Sequence, residues 1–243
     1  MTASGMHKLA IVTGGSHGLG AALVAHFQQM GWQVVALSRS GTGPLHFTLD
    51  LAEPTQVLAI MPPLFAQLAA QPWDEVVFIS NAGSLTPLLP VARLDAAVIT
   101  HNLNVNLLSA VQLITAFVQA FEAVAARKSV VQISSGAASK GYGSWSLYCA
   151  AKAGMDNFIR ALAVELADAE HPFICISIDP DVMDTHMQAA IRATSATDFA
   201  DVARFIARKR DGKLRHATEV AAYVAEVIGR AQNGYRYDID AWD

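Results

Sequence analysis

The apolar run Leu9-Ala10-Ile11-Val12 passes without a spacer into Thr13-Gly14-Gly15-Ser16-His17-Gly18-Leu19-Gly20, and an amphipathic stretch follows from Gly20 to Met30. A buried strand that turns through glycines straight into a helix constrains the fold strongly. Such a turn needs residues that tolerate positive φ and let backbone approach backbone. It also leaves a helix N-terminus open to an anion such as a pyrophosphate.

The same alternation continues along the chain. Further buried strands are expected at Gln33–Leu37, Glu75–Ile79, Ser129–Ile133 and Phe173–Ile178, with a weaker one at His46–Leu49 and a last one at Tyr235–Ile239. Helical spacing of apolar residues marks Pro54–Ala70, Ala92–Arg127 (in two segments), Ser146–Ala169 and Thr218–Arg230. Alternating strands and helices give a parallel sheet of about seven strands covered on both faces, an α/β doubly wound architecture. No repeat or linker divides residues 1–243, so one domain is expected. Between the strand ending at Asp179 and the helix near Thr218, Met183–Arg192 and Asp198–Arg210 both read as helical, with Phe199, Val202, Phe205 and Ile206 on one face. An insertion at the carboxyl ends of the strands lies where ligands bind in such sheets, so residues 181–216 are expected to cover the substrate.

Composition narrows the class. Only 16% of residues are charged against 53% hydrophobic, which suits a large core and buried surface in an oligomer. The net charge of -4 argues against nucleic acid or an anionic membrane as partner. The basic run Arg204, Arg208, Lys209, Arg210, Lys213 and Arg215 is interleaved with Asp198, Asp201 and Asp211 and reads as a solvated face. No apolar run reaches the length of a membrane span, Met1–Lys8 is short and polar, and Cys149 and Cys175 form no close-spaced motif. A cytoplasmic protein with reduced thiols is expected. The eight histidines show no metal-ligand spacing.

The chemistry concentrates in Tyr148-Cys149-Ala150-Ala151-Lys152. Residues four apart share a helix face, and an ammonium beside a phenol favours the phenolate. The expectation is a tyrosine of lowered pKa, fit for proton exchange with a carbonyl. Arg39 closes the second strand where an acidic residue would select NAD. A guanidinium there meets a 2′-phosphate, so NADP(H) is the expected cofactor. His17 adds a possible positive partner; the plain alternative for both is a solvated loop residue.

The order Thr13-Gly14-x-x-x-Gly18-x-Gly20, Asn81-Ala82-Gly83, Asn106, Ser135, Tyr148, Lys152 resembles the short-chain dehydrogenase/reductase family over almost the whole chain. The resemblance implies a Rossmann-type sheet and a carbonyl reductase. Tyr148 would act as general acid, Ser135 would bind the carbonyl oxygen, and Lys152 would tune Tyr148 and hold the nicotinamide ribose. Asn106 would hold a water that feeds protons towards Lys152. Ser134 competes with Ser135, and Asn102 and Asn104 with Asn106; the family spacing selects Ser135 and Asn106. Cofactor contacts would come from Gly14, Ser16, His17, Gly18, Leu19, Gly20, Arg39, Asp50, Leu51, Asn81, Ala82, Gly83, Tyr148, Lys152, Pro180, Val182 and Thr185. Asp181 stands where the family usually has glycine, so a carboxylate is expected near the cofactor carboxamide.

The downstream segments Val182–Gln188, Asp198–Leu214 and Gly234–Asp238 look like the sepiapterin reductase and benzil reductase branch, which reduces vicinal dicarbonyls. That resemblance makes Asp238 a pterin anchor, against the alternative of a sheet-terminal aspartate. Leu85, Ser135, Trp145, Tyr148, Met183 and Met187 would line the substrate pocket, although the apolar ones also suit plain packing. A homodimer or homotetramer is implied through the long helices. The alternatives are an alcohol dehydrogenase running oxidatively and a dinucleotide sensor of weak catalysis.

Overall fold

A computed structural model describes residues 6–241. Residues 1–5 of the polar N-terminal stretch lie outside it, as do residues 242 and 243. Strands β1 (Lys8–Thr13), β2 (Gln33–Ser38), β3 (His46–Thr48), β4 (Glu75–Ser80), β5 (Arg127–Ile133), β6 (Phe173–Asp179) and β7 (Arg236–Asp238) form one parallel sheet in the order β3-β2-β1-β4-β5-β6-β7. The chain leaves β1 towards β2 and β3, then returns to place β4 on the opposite side of β1. The strand order reverses there, and side chains following β1 and β4 face a common crevice.

Successive strand residues point to opposite faces, so apolar strands feed two cores. Leu9, Ile11, Phe78 and Val130 join one core, with α2 (Pro54–Ala69), α4 (Ser109–Phe121) and α5 (Ser146–Glu165). Ala10, Val12, Val77 and Ile176 join the other, with α1 (Gly18–Gln29) and α8 (Ala217–Arg230). Proline at the first position of α2 fits a helix start. Asp95 caps α3 (Ala96–Leu103) by accepting from the Val98 amide at 2.8 Å.

Several boundaries differ from expectation. The stretch expected to be helical over 92–127 becomes a 3₁₀ turn at 91–93, α3, a π-helical turn at Asn104–Leu108, and α4, with β5 beginning already at Arg127. The continuous helical piece Ala96–Phe121 is long and apolar enough, by length and composition, to cross a membrane. Its polar residues Asn102, Asn104 and Asn106 interrupt any apolar run, and Leu113, Ile114, Phe117 and Phe121 are spent on the sheet core. In the lid segment, α6 (His186–Ala193) starts later than expected because Met183 bridges to Arg215, and Thr185 caps the helix. Helix α7 is Val202–Arg210, so Phe199 lies in the turn before it. Phe199, Val202 and Phe205 are buried together as expected, but Ile206 is exposed. Cys149 and Cys175 are both free thiols.

Phe117 sits at the centre of the first core, stacked on Phe78 at 5.3 Å and close to Phe65, Phe121 and Phe173. Truncating it removes a large buried ring from a packed cluster. Phe117→Ala is expected to lower stability by about 3–5 kcal/mol in equilibrium denaturant unfolding.

Candidate active site

The turn after β1 is held by contacts only glycine allows. Gly14 adopts φ +68°, and a Cβ on Gly20 would lie 2.1 Å from the Gly14 carbonyl oxygen. Thr13 fastens this turn to its neighbour: its hydroxyl accepts from the Asn81 and Ala82 amides, both at 2.9 Å. The Asn81 side chain donates to the Thr13 carbonyl at 2.8 Å. The Asn81-Ala82-Gly83 turn therefore braces the glycine turn across the reversal in strand order.

One cavity of about 610 Å³ runs from this turn to the lid segment. Gly14, Ser16, His17, Gly18, Leu19 and Gly20 line it, together with Arg39, Asp50, Leu51, Asn81, Ala82, Gly83, Pro180, Val182 and Thr185. At the far end it is lined by Ser135, Tyr148, Lys152, Leu85, Trp145, Met183 and Met187. The cradle suits a dinucleotide. It offers a helix N-terminus opened by a glycine at φ +53°, Gly18, and no Cβ obstructs the approach. At the adenosine end, exposed Arg39 has no protein partner among the described residues and sits beside Ser38 and Ser40, a free fork of donors. Ser16 Oγ and His17 Nδ1 are 2.8 Å apart, and the His17 ring meets His186 edge-on at 5.9 Å.

Two expected site residues are placed differently. Asn106 is buried in the π-helical turn, and the cavity lining does not include it. Its side chain accepts from the Ser84 amide at 2.8 Å and donates to the Ser84 carbonyl at 2.7 Å and to Asn102 Oδ1 at 2.9 Å. It anchors the loop after β4. Asp238 is likewise outside the lining; its half-exposed carboxylate lies 3.2 Å from Arg236. At the end of β7 its side chain turns to the nearest buried cation, and Asp240 lines the cavity instead.

Tyr148 and Lys152 are buried. Tyr148 and Lys152 share the cavity-facing side of α5, with Lys152 Nζ 5.5 Å from the centre of the Tyr148 ring. Lys152 Nζ donates to the Ile133 carbonyl at 2.8 Å. Ser135 and Tyr148 line the same end of the cavity, and the Ser135 hydroxyl accepts from the Ala137 amide at 3.2 Å. The expected lowering of the Tyr148 pKa is not what the folded chain produces. Burial pushes Tyr148 well up, the Ser135 side chain offsets part of this, and the charges of Asp179 and Cys149 add to the rise. Burial also drives Lys152 down to about 8, against the pull of Asp156 and Asp179. At neutral pH the phenol thus holds its proton firmly and the ammonium is only weakly favoured.

Asp181 keeps the backbone that glycine would supply, at φ +52°. Its carboxylate turns towards the lid and pairs with Arg208 of α7 at 3.0 Å, while its amide donates to Asp179 Oδ1 at 3.1 Å. The feared free carboxylate is neutralised by a residue twenty-seven positions away. Nor is the basic run a free face: Lys209 pairs with Asp184, Arg210 with Asp211, and Arg215 with Glu219 and Asp240. Arg204 and Arg208 line the cavity. The partners of Lys209 and Arg208 come from separate segments and left no signal in the spacing, whereas Arg210–Asp211 and Arg215–Glu219 are local pairs.

The model of the short chain dehydrogenase family matches residues 8–196, and this chain belongs to that family. It is an oxidoreductase. Benzil reductase ((S)-benzoin forming) of Bacillus subtilis strain 168 is 34% identical over 96% of this chain and 98% of its own length. Sepiapterin reductase of Bos taurus is 34% identical over 50% of this chain and 45% of its own. Among solved structures, the KRED1-Pglu enzyme superposes with a TM-score of 0.80 at 27% identity, covering 95% of this chain and 99% of that one.

The Lys152 shift has a signed consequence for stability. Below pH of about 8 both folded and unfolded chains hold the proton, and the burial penalty is present in full. Between about 8 and the ordinary 10.5 the folded chain gives it up first, so stability rises with pH. Lys152→Met removes the penalty and is expected to be the more stable form at neutrality. Its advantage should shrink steadily towards pH 10.5 in parallel denaturant titrations.

Proposed function

We propose that this protein is an NADPH-dependent carbonyl reductase acting on a ketone or vicinal dicarbonyl of the benzil or pterin side-chain kind. The observation that carries the reading is that Ser135, Tyr148 and Lys152 line the same cavity as the glycine turn, where burial favours the protonated phenol of Tyr148. The near full-length likeness to a benzil reductase supports the substrate class. The dinucleotide, when bound, supplies the hydride. Tyr148 then gives its proton to the carbonyl oxygen, and Ser135 donates a hydrogen bond to that oxygen as its charge grows. Lys152, whose Nζ is fixed on the Ile133 carbonyl, lies within reach of both the phenol and the ribose position. Asn106 supports this arrangement from behind by holding the Ser84 turn.

A raised tyrosine pKa favours the reducing direction, where a bound proton is the requirement, over alcohol oxidation, where it must first be lost. Arg39 favours the phosphorylated dinucleotide. The apolar far wall suits an aromatic substrate: Trp145 stacks on Phe199 at 5.2 Å, and Phe205 and Tyr142 complete the cluster. A cytoplasmic location accords with the two free thiols. A homodimer or homotetramer accords with exposed Leu108 and Val164 on the outer helices.

Turnover of NADPH with benzil, sepiapterin and a simple aldehyde tests the activity. Tyr148→Phe is expected to cut it by at least ~100-fold while NADPH still binds. Cofactor binding with no turnover on any of these carbonyls would make the protein a dinucleotide sensor instead. Arg39→Ala is expected to weaken NADPH by about 10-fold or more and leave NADH nearly unchanged, read from the two KM values.

A further inference from the structure

Arg236 stands on β7, far along the chain from every reacting group, yet its guanidinium lies behind all of them. Nη1 donates to Asp156 Oδ2 and, at 2.6 Å, to Ser134 Oγ. Nη2 donates to Asp179 Oδ2 at 2.7 Å and reaches the Ser135 carbonyl at 3.3 Å. A single planar fork therefore ties α5, the end of β5 and the end of β6 together. Each is an element that positions a reacting side chain. A lysine, with one nitrogen, cannot span these acceptors in the same way.

The two carboxylates differ in place: Asp179 lines the cavity and Asp156 lies behind it. Asp156 follows Lys152 by one turn of α5, is 5% exposed, and has an Oδ1 with no hydrogen-bond partner. Asp179 lines the cavity and acts electrostatically on both Tyr148 and Lys152. Burial raises the Asp179 carboxyl, and Arg236 is the chief force keeping it down. The other charged and titratable groups around the pair are accounted for. Asp181 is matched by Arg208, Asp238 shares Arg236, and Cys149 lies beside Tyr148 on α5. Tyr142 is capped by Lys140, 5.2 Å from its ring. Arg236 is thus the guanidinium that Asp156 and Asp179 share. Removing one member of such a buried set leaves the others uncompensated.

We propose that Arg236 is a positioning residue for the reaction. It offsets part of the charge that Asp156 and Asp179 bring to bear on Tyr148 and Lys152, and it fixes the Ser134–Ser135 backbone from which the carbonyl oxygen is held. The proposal rests on the reductase reading and adds a specific electrostatic duty to a residue that touches neither substrate nor cofactor.

The test compares wild type with Arg236→Met, Arg236→Lys, Asp179→Asn and Tyr148→Phe. Benzil reduction and the reverse oxidation of benzoin are followed across pH, with NADPH binding measured by fluorescence titration. Oxidation requires Tyr148 to lose its proton, so its acidic limb reports the local charge. Arg236→Met is expected to move that limb up by about one pH unit, and Asp179→Asn to move it down by a similar amount. Arg236→Lys is expected to restore the limb by more than half while kcat for reduction stays at least ~10-fold low, because charge returns and the fork does not. NADPH affinity is expected to change less than ~3-fold in Arg236→Met and Arg236→Lys, a small effect in free energy. A brace without electrostatic duty would instead lower folded yield and leave every limb in place. If Arg236→Met does not fold, Asp179→Asn carries the same test with the opposite sign. Unmoved limbs in the variants that fold overturn the proposal. If Tyr148→Phe keeps its turnover, or wild type turns over no carbonyl, the reductase reading fails and the proposal falls with it. Loss in Tyr148→Phe beside unmoved limbs sinks the role of Arg236 alone.

Discussion

Lys152 carries a cation that burial works against, and the carboxyl ends of β5 and β6 are arranged to keep it in place. Its Nζ donates to the Ile133 carbonyl at the end of β5. Asp156 and Asp179 supply the negative potential that opposes its loss of charge. A lysine so placed serves a site rather than stability, since a core side chain of similar length would cost less to bury. The same burial sets Tyr148, whose phenol keeps its proton until something draws it away. Both side chains owe their state to the depth of α5 against the sheet, and that depth comes from apolar residues such as Met155 and Ile159 packed on the strands.

The sheet makes that depth useful. The reversal of strand order between β1 and β4 opens a crevice that neither turn would form alone. Thr13 and Asn81 close it from below by exchanging hydrogen bonds across the two strands. The crevice continues into an apolar end roofed by the segment around α6 and α7, where Trp145, Phe199 and Phe205 pack ring on ring. The glycine turn, the Tyr148 phenol and an aromatic wall are thereby set along one cavity. Each is supplied by a different stretch of sequence.

Much of this was legible in advance because its signals are local. Strands buried on both faces read as unbroken apolar runs, and the glycine turn names its own position between strand and helix. The Tyr148–Lys152 pair is visible as a four-residue spacing. Other features escaped for definite reasons. The start of α6 is fixed by a bridge from Met183 to Arg215, and the π-helical turn around Asn106 by bonds to Ser84. The Asp181 carboxylate was expected near the cofactor, and its pairing escaped notice because Arg208 lies in α7, far along the chain. Asp238 suggested a ligand contact, yet its carboxylate is drawn to Arg236.

The sequence by itself determined the parallel sheet, the place of the glycine turn and the shared helix face of Tyr148 and Lys152, because periodicity and short spacing act within one or two elements. Only the tertiary structure decided the charge states. The Tyr148 shift runs upward, against the sense expected from the four-residue spacing, because burial dominates it. The partners of Asp181, Asp179 and Asp156 were likewise settled by packing. Electrostatic energies depend on depth and on distance through space, and neither is written in the order of residues along a chain.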